Sequence, residues 1–398
     1  MQLGICLALV LSLLALCWVY AWAGVRWAGA SANDAPRHHV AVDGLRGMLA
    51  LSVFVHHAVC TRQWYVTGTW NAGGDRVFKQ AGTAAVVLFL FITGFLFWGK
   101  LQRQPRLPLV AHVKSRVLRL APAYLAAIAV MMLVVGLHTG WRLLVSPGRL
   151  LNGIFNWVVF ALPGQSDVNG LKDTSQILAG VVWTLRLEWV FYALVPFLGW
   201  FAGGLWRTTL LLGLFFAAEQ LLKFVANGLP AEEPHRLLDL GIEAAHHLAR
   251  TFAGGIAVAA LLPWARIRWP KVDFSAAGFS TLSVGLVLGV FLCLPPEHNF
   301  PEVLVLMLPF GLIVLGNDWF GFLTSRPTLL LGRISYSIYL LHGLVLHLFF
   351  FALNRVVPVA SIPTPAYWAI IAALGAVVIA VAARWYRCFE APFVSRRA

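Results

Sequence analysis

About eleven apolar stretches, most of them near twenty residues long, follow one another along this chain and leave no polar interval large enough for a soluble domain. Roughly 20 apolar residues carry an α-helix across a bilayer at 1.5 Å per residue. The stretches fall at 3–24, 41–60, 81–99, 120–138, 177–200, 208–226, 250–265, 273–294, 303–321, 329–352 and 365–383. Composition agrees: 60% of residues are hydrophobic, 12% are charged and the mean hydropathy is +0.79. The expected fold is all-α, a polytopic transmembrane helical bundle of about eleven spans.

The first stretch could be mistaken for a secretory signal. MQLG lacks a positive start, Gly4 to Val25 is nearer a full span than a signal core, and Leu16 rather than a small residue precedes Cys17. It is read as a retained helix in an N-terminal unit, 1–30, with its N-terminus outside. A membrane domain at 38–394 follows, with no C-terminal soluble domain expected.

Thirty Lys and Arg against 16 Asp and Glu would suit a nucleic-acid partner, but the charges lie in short clusters between apolar stretches. The positive-inside rule accounts for them, and no nucleic acid is expected. Alternation from the first helix places Lys100–Arg119, Arg207, Arg266–Lys271, Arg326 and the tail with Arg384, Arg387, Arg396 and Arg397 on the cytoplasmic side. The 139–176 connection, with Arg142 and Arg149, falls outside. It is expected to carry an interfacial helix near 148–162 and, with the polar 227–249 segment, to face an external substrate. A multi-pass protein of the cytoplasmic membrane with its C-terminus inside is the consequence. Cys6, Cys17, Cys60, Cys293 and Cys388 are scattered, which indicates neither a disulfide framework nor a metal site.

Within these helices a few polar residues stand out. DGLRGMLALSVFVHH puts Arg46 and His57 eleven positions apart. Eleven steps of 100° come within about 20° of three full turns, so the two share a helix face, about 16 Å apart along the axis. A central arginine costs about 2.5–3.5 kcal/mol on insertion scales, which makes function the default reading. The plainer reading is a snorkelling arginine beside a satisfied histidine. His56 points about 100° away from His57. Arg116 and Arg119 lie one turn apart on the same side as Arg46, before Pro122, which is expected to set the start of its helix. Three planar guanidinium forks would hold phosphate, though ordinary topology marking explains two of them equally well. Glu188, with Trp183 and Thr184 a turn before and Phe191 and Tyr192 a turn after, needs a cationic partner from another helix, because Arg186 lies on the opposite face. An ion pair locking two helices is the structural alternative. Ser335, Tyr339 and His342 recur on one face of a late helix, where small polar residues commonly hold helices together.

Taken in order, DGLRGMLALSVFVHH, FLFITGFLFW, KSRVLRLAPAY, WTLRLEWVFYALVP, LGRISYSIYLLH and FEAPF resemble the membrane acyltransferase-3 family from about Val42 to Phe393. The family's arginine and histidine eleven residues apart fall on Arg46 and His57, and its RxxR on Arg116 and Arg119. Its WSLxxExxFY falls on Trp183, Thr184, Leu185, Glu188, Phe191 and Tyr192, with Thr184 for serine, and its ISGF on ITGF, with Thr93 for serine. Both changes keep a hydroxyl. The family usually has about ten spans, so the first helix is an addition. The resemblance implies transfer of an acyl group, acetyl first, from acyl-CoA to a glycan or other acceptor across the membrane. No cofactor is held tightly; acyl-CoA is the cosubstrate. The bilayer, the acceptor and glycan-assembly proteins are the expected partners.

On this reading His57, Arg46 and Glu188 are catalytic, and Arg46, Arg116 and Arg119 hold the anionic nucleotide while the pantetheine arm threads inward. His57 is the base for the acceptor hydroxyl, or carries the acyl group covalently; the residues leave both routes open. Glu188 orients His57 or an arginine. Tyr339 or Ser337 donates to the thioester oxygen. Asp43, Trp183, Tyr192 and His342 are supporting residues. The rival class is a transporter or export-complex subunit moving an anionic solute without chemistry, which the absence of internal repeats disfavours.

Overall fold

The computed structural model describes residues 39–228 and 236–394, with Gly4 and Ala15 as isolated positions ahead of them. The expected first helix, with Arg26, Arg37, Cys6 and Cys17, lies outside the described residues, as do Arg396 and Arg397. Among the described residues the fold is helical throughout, with one isolated bridge between Val168 and Leu171 and no strand. Helices satisfy their own backbone polar groups, which is what hydrocarbon demands. Among the described residues, eight helical segments are long and apolar enough to cross a membrane, and two shorter apolar helices accompany them.

In chain order the helices are α1 (Val40–Thr67), α2 (Arg76–Arg103), α3 (Leu109–His138), α4 (Pro147–Val158), α5 (Val182–Leu194), α6 (Leu205–Asn227), α7 (Arg236–His247), α8 (Ala253–Arg268), α9 (Ala277–Cys293), α10 (Phe300–Leu315), α11 (Arg326–Arg333), α12 (Ser335–Leu353), α13 (Thr364–Trp385) and α14 (Ala391–Val394). α2 lies at the centre, with 78% of its apolar window buried, and α6 at the perimeter, with 11%. The local signals are ordinary ones. Asp75 caps α2 by accepting from the Val77 N–H, Asn299 caps α10 by accepting from the Glu302 N–H, and Gly68 ends α1 in the left-handed region at φ 72°.

Four expectations change. The polar 227–249 segment is not all an outer connection: α7 runs into α8 through a π-helical turn, Leu248–Phe252, to make one continuous rod. Two of its polar residues reach neighbouring helices, Glu243 pairing with Arg186 and His246 with Glu219. The 329–352 span is two helices, α11 and α12, broken at Ile334. The 177–200 span becomes a 3-10 turn (Thr174–Leu178), α5 and a second 3-10 stretch from Val195, which opens with Pro196. Pro122 does not begin a helix; it sits inside α3, which starts thirteen residues earlier. Carbonyls around it find side-chain donors, Leu120 O from Tyr336 Oη at 3.2 Å and Ala123 O from Trp385 Nε1 at 3.3 Å. A helix does form within the region expected near 148–162: α4, which shows Leu151, Phe155 and Val158 on its exposed side.

The glycines of DGLRG explain how Arg46 is aimed. A Cβ on Gly44 would meet Leu323 O at 1.8 Å, and one on Gly332 would meet Asp43 O at 1.9 Å. Backbone therefore packs on backbone along one side of α1, as small residues allow between membrane helices. Arg46 is left to line a cavity walled by α2, α3, α5 and α12.

Candidate active site

That cavity has a volume of about 110 Å³ and is lined by Arg46, Arg116, Arg119, Glu188, Tyr192 and Tyr339 among others. Four sequence segments more than a hundred residues apart at their extremes thus converge on one space. Among the described residues, Arg46 and Arg119 make no hydrogen bond or direct ion pair. The Arg116 guanidinium lies 5.3 Å from the centre of the Phe97 ring and 6.0 Å from that of Tyr192. Three guanidinium groups against one carboxylate make a cavity suited to a polyanion.

Glu188 differs from expectation in its direct partner. The hydroxyl of Tyr192, one turn on in the same helix, donates to its Oε2, and the arginines face it across the cavity. Arg186 pairs with Glu243 at 2.5 Å, in keeping with its place on the opposite face of α5. Thr184 and Tyr339 bring two of the sequence motifs into contact, their hydroxyls 2.6 Å apart, and Tyr339 also donates to Val181 O at 3.1 Å.

His57 is not on the wall of this cavity. Its Nδ1 lies 2.9 Å from Nε2 of His342, and the two rings stack with centroids 5.0 Å apart. His342 Nδ1 faces Ile338 O at 3.0 Å. A carbonyl can only accept, so His342 carries its proton on Nδ1 and, when neutral, offers a bare Nε2. His57 must then donate from Nδ1, which leaves its own Nε2 as a lone pair. That is the tautomer a general base needs. His56 turns aside, with Nδ1 2.8 Å from Phe78 O.

A second cavity, of about 170 Å³, lies beyond this histidine pair. The order of residues along both helices shows the arrangement. On α1, Arg46 lines the first cavity and Thr61 the second, with His57 between; on α12, Tyr339 lines the first and Gly343 the second, with His342 between. Along both helices the histidine pair therefore lies between the two cavities, with neither ring on the wall of either.

Other expected residues stand apart. Ser337 does not line the first cavity; its hydroxyl donates to Glu390, held on a π-helical turn (Tyr386–Glu390) after α13. Trp183 packs 5.4 Å from His247 and 6.3 Å from His298, away from the arginines. Asp43 lines a separate crevice of about 1050 Å³ with Arg103 and Arg266, which meets the first cavity at Leu96. Sequence reasoning left Glu390 without a role, although a carboxyl group in an apolar terminal helix carries the same signal as Glu188. It also missed His138 and His347, whose Nε2 atoms lie 2.9 Å apart on the second cavity, because they belong to different helices.

No curated protein and no solved structure matches the chain. A family model described as an acyltransferase domain, acyltransferase-3, matches residues 39–385 and so covers α1 through α13, with the arginine cavity and the histidine pair. By that match the chain belongs to the acyltransferase-3 family, and is a multi-pass membrane acyltransferase.

Proposed function

We propose that the protein moves an acyl group, acetyl first, from cytosolic acyl-CoA to a hydroxyl of an extracytoplasmic glycan or other cell-surface acceptor. The observation that carries this reading is the arginine-lined cavity, with the paired His57 and His342 farther along the same two helices, α1 and α12, towards a second cavity. Arg46, Arg116 and Arg119 hold the anionic end of the donor, and the crevice beside Asp43 leads to them from the cytoplasmic side. The uncharged arm extends along α1 towards His57, about 16 Å from Arg46 at 1.5 Å per residue.

The transfer needs one base. His57 Nε2 takes the proton of the acceptor hydroxyl as its oxygen attacks the thioester carbon. The C–O bond forms, the C–S bond breaks, and the departing thiolate takes the proton from His57. His342 holds His57 in the required tautomer throughout. Glu188 offsets part of the arginine charge when no donor is bound, and Tyr339 lies where it can support the thioester oxygen.

The test is turnover of radiolabelled acetyl-CoA by purified protein in proteoliposomes, with His57→Ala and Arg46→Ala alongside. Turnover lost in both variants supports the reading. A wild-type protein that neither binds nor consumes acetyl-CoA overturns it.

A further inference from the structure

Glu390 is a buried carboxyl group that the transfer chemistry leaves unused. It ends the π-helical turn Tyr386–Glu390 and is 6% exposed. Such turns are rare and are frequent at functional sites. Arg387, on the same turn, and Arg384 just before it are exposed, whereas Glu390 turns into the bundle. Among the described residues its hydrogen-bond donor is the Ser337 hydroxyl, and no salt bridge reaches it.

Its place is behind the wall of the arginine cavity. Ser337 follows Ser335 and Tyr336 on α12, and both of those line the cavity. Tyr336 crosses to α3, its hydroxyl donating to Leu120 O at 3.2 Å, and Leu120 adjoins Arg119 on the same wall. Trp385, just ahead of the turn, ties it to α3 by donating to Ala123 O at 3.3 Å. Charge follows from this placement. Glu390 interacts through space with Arg119 and Arg46, two of the guanidinium groups that also act on Glu188. The two arginines thus answer to two carboxyl groups, Glu188 on the cavity wall and Glu390 off it.

A carboxylate so placed has a use. Cations in a low-dielectric cavity hold a polyanion strongly, and affinity differences of that kind are expressed mainly in the rate of release. The spent donor, CoA, keeps every phosphate of acyl-CoA, so the arginines grip product as firmly as substrate, and uniform binding of that sort does nothing for the chemical step. A negative charge off the wall weakens the grip without taking up space in the cavity. We propose that Glu390 is a positioning residue that acts through Arg119 and Arg46 as a fixed counter-charge to the donor cavity, and that it sets how readily the phosphate-bearing product leaves. The inference rests on the reading of the arginine cavity as the donor site. Its own content is the residue and the sign of its effect.

The experiment compares the full chain in nanodiscs with Glu390→Gln and Glu390→Met, two neutral side chains of similar volume, and with Glu390→Asp, which keeps the charge. Affinity and dissociation rate are measured for CoA and for S-acetylpantetheine, which has the thioester arm and no phosphate, with thermal unfolding recorded beside them. Each neutral variant is expected to bind CoA roughly tenfold tighter, through slower dissociation, with S-acetylpantetheine unmoved and Glu390→Asp close to wild type. A residue that only braces the helices does the opposite, loosening CoA in step with the melting temperature, and that result overturns the proposal. So does a tightening that S-acetylpantetheine shares. Wild type that binds no CoA removes the transfer reading together with this inference, whereas CoA binding that is equal in wild type and both neutral variants removes the inference alone.

Discussion

His342 accepts from His57 Nδ1 across 2.9 Å while giving its own proton to Ile338 O. The base is thereby set by a carbonyl two hydrogen bonds away. General-base catalysis contributes about 10²–10⁴ in rate, so His342→Ala is expected to cut kcat on the order of a hundredfold with acyl-CoA affinity intact. His342→Gln, whose amide oxygen can accept from Nδ1, should recover part of it. Equal loss in both variants, with an unaltered pH profile, would contradict a positioning role.

Arg46 and Arg119 face the first cavity without direct partners among the described residues. A hydrogen bond to a charged group is worth about 1.5–3 kcal/mol. Each alanine variant should therefore weaken acetyl-CoA binding by roughly ten- to a hundredfold, read by calorimetry. Lysine should restore only part, because the planar fork is lost. An unchanged Kd for both alanine variants excludes this cavity as the donor site.

Ser337 and Glu390 separate two roles. If Ser337 serves only to satisfy the buried Glu390, Ser337→Ala should lower the melting temperature, by about 1–3 kcal/mol of stability, and leave kcat nearly unchanged. A large fall in kcat with no thermal effect would instead return Ser337 to the thioester.

Gly332→Ala should destabilise the protein, since its new Cβ would sit 1.9 Å from Asp43 O. Overpacking of this kind costs about 1–3 kcal/mol or more. Gly285→Ala, where nothing lies within 4 Å, is the control and should be neutral. Thermal unfolding in detergent distinguishes them. Because Gly332 packs against Asp43 and Gly47, on either side of Arg46, its variant should also lose donor affinity.

His298, in the connection between α9 and α10, is pushed down to about 4 by burial. Between that value and the unfolded pKa of about 6.5, the unfolded chain binds the extra proton. Its contribution to stability is thus complete above about pH 6.5, falls as pH drops towards 4 and is flat below. Melting temperatures of wild type and His298→Gln, measured from pH 4.5 to 7.5, should converge towards the acid end. Parallel curves would show that His298 does not titrate as a buried group.

Much of this was legible from the sequence because it depends on periods along one helix. Arg46 and His57 share a face by arithmetic alone, and Glu188 announces itself as a carboxyl group in an apolar run. What escaped depends on contacts between helices. His57 meets His342 across 285 positions, and His138 meets His347 across 209. No spacing rule encodes either. Glu188 was assigned a cation as its direct partner, yet Tyr192 lies four residues on and could have been named from the same i to i+4 geometry. Pro122 misled because a proline inside a long helix removes one N–H, and so only the bond to the carbonyl four residues back, and α3 continues through it.

α1 is unbroken from Val40 to Thr67, and no proline or glycine interrupts it after Gly47. It therefore acts as a ruler, with the anion clamp at one graduation and the base at another. Inserting one residue between them would swing His57 by about 100° and lift it by about 1.5 Å, off the mark on both counts. A ruler measures the donor's arm and not its cargo. Acyl groups of different length would present their reactive carbon at the same graduation, and any discrimination among them must come from the space beyond it.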